Sequence, residues 1–159
     1  MDLETAFDRY HPAVFRYLHR LTGDADVADE LAQEAFVRLM ENDVEATGIE
    51  GWLFTVATNL VRDRSRVRSR RRELSEGREL EPEPGEPPDE AFRRSEAKRR
   101  VRRALDRLKP RDREMLLMRE EGFSYAEIAE TVGVADSSVG TLLSRALDRF
   151  ERAYRSEDD

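Results

Sequence analysis

Seven arginines, Arg62, Arg64, Arg66, Arg68, Arg70, Arg71 and Arg72, fall in one short run with Asp63 as the single acid among them. A guanidinium forks onto phosphate, and like charges this dense repel one another until an anion arrives. The run therefore predicts a surface that tracks a phosphate backbone, against the plainer alternative of a solvated helix end. A second set, Ser137, Ser138, Gly140, Thr141, Ser144 and Arg145, recurs at helical spacing opposite Val139, Leu142, Leu143, Ala146 and Leu147, with Arg149 one turn on. Short hydroxyls and an arginine suit base edges and phosphates in a DNA groove. No paired acid and base, nucleophile elbow or phosphate loop accompanies either set, so the chemistry is recognition and an enzyme is not expected. The chain lacks cysteine, and His11 and His19 stand isolated, so neither a metal site nor a cofactor is expected.

Two short helices must position the second set. Ser124 and Glu127 have the spacing of a capping box, Ile128, Ala129 and Val132 form one apolar face, and Gly133 stands where a left-handed residue stops a helix. Val134 plugs the angle, and a second helix starts near Asp136 and keeps its apolar period through Phe150 and Tyr154. Residues 122–145 thus read as a helix-turn-helix, although an ordinary helical hairpin also turns at a glycine.

Three helices are expected ahead of it. The first runs from about Leu3 to Thr22 with Leu3, Phe7, Tyr10, Val14, Phe15, Leu18 and Leu21 inward, and Pro12 kinks or divides it. The second takes Asp24 as N-cap, buries Val27, Leu31, Ala35, Phe36, Leu39 and Met40, and shows Asp29, Glu30, Gln33, Glu34 and Arg38 outward. A loop over 41–50 leads to a third, Gly51 to about Glu73, apolar at Trp52, Leu53, Val56, Ala57 and Leu60 and then arginine-rich. Trp52 reads as a core residue by its type. Asn59 lies about two turns on, placed to meet an exposed base edge or simply solvent.

The 159 residues are 40% charged with a net charge of -7, which by itself argues against nucleic acid. The average hides basic blocks at 61–72 and 93–113 between acidic stretches, so short basic surfaces are expected to touch DNA while the rest repels it. Residues 75–90, SEGRELEPEPGEPPDE, cannot bury enough surface to fold and read as an acidic linker. The expected architecture is all-α: two small helical domains, 1–73 and 92–159, on a flexible tether over 74–91. No run approaches the ~18 apolar residues of a membrane span, and the acidic start lacks a leader, so a cytoplasmic protein is expected.

The segments DADVADELAQEAFVRLM, GWLFTVATNLVRDRSR and LKPRDREMLLMREEGFSYAEIAETVGV, in that order, resemble regions 2 and 4 of the extracytoplasmic-function (ECF) sigma factors, small two-domain members of the sigma-seventy family. The resemblance covers nearly the whole chain. It implies that Asp29, Glu30, Gln33, Phe36 and Arg38 dock on the beta-prime clamp of core RNA polymerase, with region 4 on the beta flap. It implies further that loop 42–49, with Asn42, Asp43 and Val44, joins Trp52 and Asn59 in capturing the melted minus 10 element while Arg62, Arg64 and Arg66 hold its backbone. The linker is similar in position to a segment that threads toward the RNA exit path. The helix from Asp136 would enter the major groove of the minus 35 element through Ser137, Ser138, Gly140, Thr141, Ser144, Arg145 and Arg149. An anti-sigma factor is an implied partner.

The chain departs from the family where it has Gly140 and Leu142 in place of common basic residues and Ala135 in place of a frequent capping serine. Each lost arginine contact removes roughly 1–3 kcal/mol of base discrimination, so weak or altered minus 35 reading is expected. The departure keeps an alternative open: a sigma mimic that binds polymerase or an anti-sigma factor without reading promoters.

Overall fold

Capping side chains set the helix ends, and the computed structural model, which describes residues 1–65, 85 and 87–156, places them close to where local chemistry predicts. Helix α1 spans Leu3–Thr22, capped by Asp2, whose carboxylate accepts from the Thr5 amide at 2.8 Å, and closed by Gly23 at φ +71°. It runs unbroken through Pro12. Helix α2, Ala25–Glu41, is capped by Asp24, which accepts from the amides of Asp26 and Val27. A 3-10 turn at Ala46–Gly48 leads into α3, Ile49–Ser65, two residues earlier than expected.

Beyond the undescribed stretch, α4 covers Pro88–Asp106 and α5 covers Pro110–Glu120, each with proline in its first turn, where the missing N–H costs nothing. Helix α4 begins inside the stretch the sequence assigns to the linker. Helices α6, Tyr125–Val132, and α7, Asp136–Ser156, form the helix-turn-helix. Both halves of the Ser124–Glu127 capping box are made, at 3.2 and 3.0 Å, and Gly133 stops α6 at φ +79°. Ser124→Ala is expected to cost about 1 kcal/mol, read as a lower urea midpoint at unchanged slope.

Helices α1, α2 and α3 pack as a trio, and α7 packs against α4, α5 and α6. The two groups also meet, α1 against α5 and α3 against α6, and one apolar cluster runs through both. Phe54 on α3 lies at the join, with ring centroids 4.9 Å from Tyr17 and 4.5 Å from Phe123. The Tyr17 hydroxyl meets Thr58 Oγ1 at 2.8 Å; since that hydroxyl donates to the Phe54 carbonyl, Tyr17 is left as the donor. Burial pushes the Tyr17 phenol well above its usual range, so it stays neutral.

Four expected core residues are exposed instead: Leu3, Phe7, Met40 and Leu147. The first turns of α1 and the last turns of α2 lie side by side, so Leu3, Phe7, Val37 and Met40 line a shallow open cleft. Apolar spacing continues there past the point where a third helix covers it. Conversely, α5 buries three consecutive charged residues, Asp112, Arg113 and Glu114. Arg113 donates to the Leu105 and Leu108 carbonyls at 2.9 and 3.0 Å. Its two neighbours reach across to other helices.

Candidate nucleic-acid interface

On α7 the apolar residues Val139, Leu143 and Ala146 are buried, which turns Ser137, Thr141, Ser144 and Arg145 to solvent. Arg145 has no ion-pair partner among the described residues. Ser138 and Gly140 are half-buried. A Cβ built on Gly140 would stand 3.5 Å from the Tyr125 ring, an ordinary contact, so this exposed aromatic lies beside the solvent-facing side chains of α7. The Arg119 guanidinium sits 5.1 Å from the same ring centroid. The position of Tyr125 beside this face was not foreseen, because it depends on how α6 packs on α7.

Arg149 departs from expectation. Its Nη1 donates to Asp112 Oδ2 at 2.7 Å, and the Asp112 side chain is 2% exposed. Removing the arginine strands a buried carboxylate, so Arg149→Ala is expected to lose about 1–3 kcal/mol of stability. Urea unfolding checks this, with Arg149→Lys recovering part of the loss; unchanged stability with altered DNA preference would reverse the assignment.

The arginine run shows a parallel change of role. Arg62 forks onto Glu114, Nε to Oε2 at 3.0 Å and Nη2 to Oε1 at 2.5 Å, and this hydrogen bonding raises its pKa above even the usual guanidinium value. Arg64 pairs with Glu30 at 2.9 Å, tying α3 to α2. Two side chains expected on DNA thus hold acids of their own chain, because the folded chain supplies the anions their repulsion calls for. Arg66, Arg68, Arg70, Arg71 and Arg72 lie outside the described residues.

On the rest of α3, Asn59 is exposed and Trp52 is half-buried against the core. The loop before it divides. Asn42 caps α2, its Nδ2 donating to the Arg38 carbonyl at 2.7 Å, which accounts for its side chain locally. Asp43 is exposed, whereas Val44 packs partly into the core.

The polar face of α2 is pre-arranged by short pairs: Gln33 donates to Asp29 at 3.2 Å and Arg38 to Glu34 at 3.1 Å. Phe36 is buried, edge-on to Phe7 at 5.1 Å, and only lines the floor of the apolar cleft. Val37, together with Met40, which sequence spacing had turned inward, extends this face with exposed apolar surface.

Residues 6–73 match the family described as Sigma-70 region 2, and residues 98–150 match Sigma-70, region 4. The RNA polymerase sigma factor YlaC of Bacillus subtilis is 30% identical over 91% of this chain and 87% of its own length. The chain belongs to the sigma-70 family of RNA polymerase sigma factors. The ECF sigma factor EcfG of Rhodopseudomonas palustris is 34% identical, with 84% of this chain and 73% of that one aligned. The ECF sigma factor SigE of Mycolicibacterium smegmatis is also 34% identical, but the chain spans about half of its length, 52%. In fold, this sigma factor is similar to the sigma factor RpoE of Bartonella quintana, solved in complex with the anti-sigma factor NepR, with TM-score 0.72, 22% identity and 97% of both chains covered. Among the described residues no helix of the sigma factor is long and apolar enough to cross a membrane.

Proposed function

We infer that this chain is an alternative ECF sigma factor that binds core RNA polymerase and directs it to a restricted set of promoters, which it helps to melt. The observation that carries the reading is the solvent-facing row Ser137, Thr141, Ser144 and Arg145 on the second helix of a helix-turn-helix, joined in one chain to a three-helix unit with an acid-laced outer face. In this reading α7 enters the major groove of the minus 35 element, with Tyr125 beside it. Asn59 and Trp52 meet the melted minus 10 strand, where stacking and edge hydrogen bonds suit single-stranded bases. Asp29, Glu30, Gln33 and Arg38, with the neighbouring apolar cleft, dock on the polymerase clamp. Sigma factors are initiation factors rather than enzymes, so the polymerase supplies the catalysis, and the cytoplasm is where both act.

An anti-sigma factor is the proposed regulatory partner, supported by the complex in which the Bartonella neighbour was solved. The test is run-off transcription by core polymerase, with and without this protein, on templates randomised at both promoter elements. Specific transcripts with a selected minus 35 sequence are the expected result. Tight binding to core without any transcript would replace this reading with that of a sigma mimic.

A further inference from the structure

Helix α3 is packed on most of its circumference and leaves one narrow strip open. Leu53, Phe54, Ala57 and Leu60 are buried in the core. On one flank Thr55 meets Thr131 and Arg62 forks onto Glu114, and on the other Arg64 reaches Glu30 of α2 at 2.9 Å. At 3.6 residues per turn, Trp52, Asn59 and Asp63 fall together between those flanks. Trp52 is half-buried, whereas Asn59 and Asp63 are exposed. The Asp63 carboxylate has neither a hydrogen bond nor an ion pair among the described residues, although an arginine stands on either side of it in sequence. Each of those arginines is drawn to another acid.

An acid at this point works against phosphate. It repels a nucleic-acid backbone and weakens the cationic run around it, so the group that suits it is an uncharged hydrogen-bond donor. Base edges carry such donors, and a carboxylate accepts from an exocyclic amino group. Asn59 stands one turn away, with its Cβ about 5–6 Å from that of Asp63. Amide and carboxylate therefore address one base or two adjacent ones, and Trp52 offers a ring on the same strip for stacking.

We propose that Asp63 is a specificity-determining residue of the minus 10 surface, accepting a hydrogen bond from the exocyclic amino group of a base that melting exposes. The proposal rests on the sigma-factor reading for the identity of the strand, and on the strip of α3 alone for the group that reads it. Cytosine, adenine and guanine each carry such an amino group. Thymine carries none and turns carbonyl oxygens toward the acid, so thymine is rejected at that position. The arginines hold the backbone whatever its sequence, and the one acid among them supplies a choice.

The test is selection, by core polymerase with the full-length chain, from single-stranded oligonucleotides randomised through the minus 10 segment. At one position the unsubstituted chain is expected to retain an amino-bearing base about tenfold over thymine. Asp63→Asn, whose amide also donates to a carbonyl, is expected to lose that preference at that position alone, and Asp63→Glu to keep part of it. Replacing the retained base by its analogue without the amino group is expected to weaken binding to the unsubstituted chain about tenfold and to Asp63→Asn hardly at all. The analogues are purine for adenine, hypoxanthine for guanine and 2-pyrimidinone for cytosine.

An unchanged base distribution in Asp63→Asn overturns the proposal, as does equal weakening of both proteins by the analogue. A uniform gain in affinity for every sequence would make Asp63 a repelling charge only, and overturns it as well. The same selection at low salt with the chain alone separates the two readings. If that preference and its loss in Asp63→Asn are found while core polymerase gives no specific transcript, Asp63 reads a base and the sigma-factor reading falls.

Discussion

Phe54→Ala is expected to cost about 3–5 kcal/mol of folding stability, the usual range for removing a fully buried aromatic from a core. The ring is 0% exposed and stands between Tyr17 of the first half and Phe123 of the second, so the cavity opens at the join rather than inside one helix trio. Total stability for a domain is about 5–15 kcal/mol, so the loss takes a large share of it. Trp52, the single tryptophan, reports on α3 by fluorescence, while circular dichroism reports on all helices together. Coincident urea transitions by the two probes, both shifted to lower denaturant, are expected, because one apolar cluster runs through both halves. A fluorescence transition that moves while the dichroism splits into two steps would mean that the halves unfold independently.

Asn59→Ala is expected to lower transcription from a duplex promoter about tenfold to a hundredfold, in line with the ~1–3 kcal/mol carried by a good side-chain pairing to a base edge. Stability should hardly move, since Asn59 is exposed and exposed substitutions usually stay within about 0.5 kcal/mol. That separation makes the residue a clean probe of function. The defect is expected to lie in opening, so a template already melted at the minus 10 element should recover most of the signal. Equal losses on melted and duplex templates would show that Asn59 acts in docking or merely in the helix.

Much of the fold is written in signals that span three or four residues. Asp24 before α2, Ser124 with Glu127 before α6, and Gly133 after it satisfy backbone groups within their own turn, so their meaning does not depend on what packs nearby. The outward row on α7 follows from the apolar period of that helix alone. Where a helix end runs past its neighbours the period misleads: Leu3, Phe7 and Met40 keep the spacing of a core face yet stay exposed, as does Leu147 in mid-helix, since burial needs a covering element and not only a pattern.

The charged residues divide along the same line. Arginine density alone marks Arg62 and Arg64 as anion seekers, but nothing local says that Glu114 and Glu30 are the anions in the free chain. The Arg62–Glu114 and Arg16–Glu121 partners lie 52 and 105 residues apart. By itself the sequence determined the helices of the N-terminal trio and of the helix-turn-helix, the caps of α2 and α6, the sigma-like order of motifs and the solvent-facing row on α7. Only the tertiary structure decided that the halves close on each other and that Arg149 serves Asp112, because a buried carboxylate takes whichever cation the packing brings within reach.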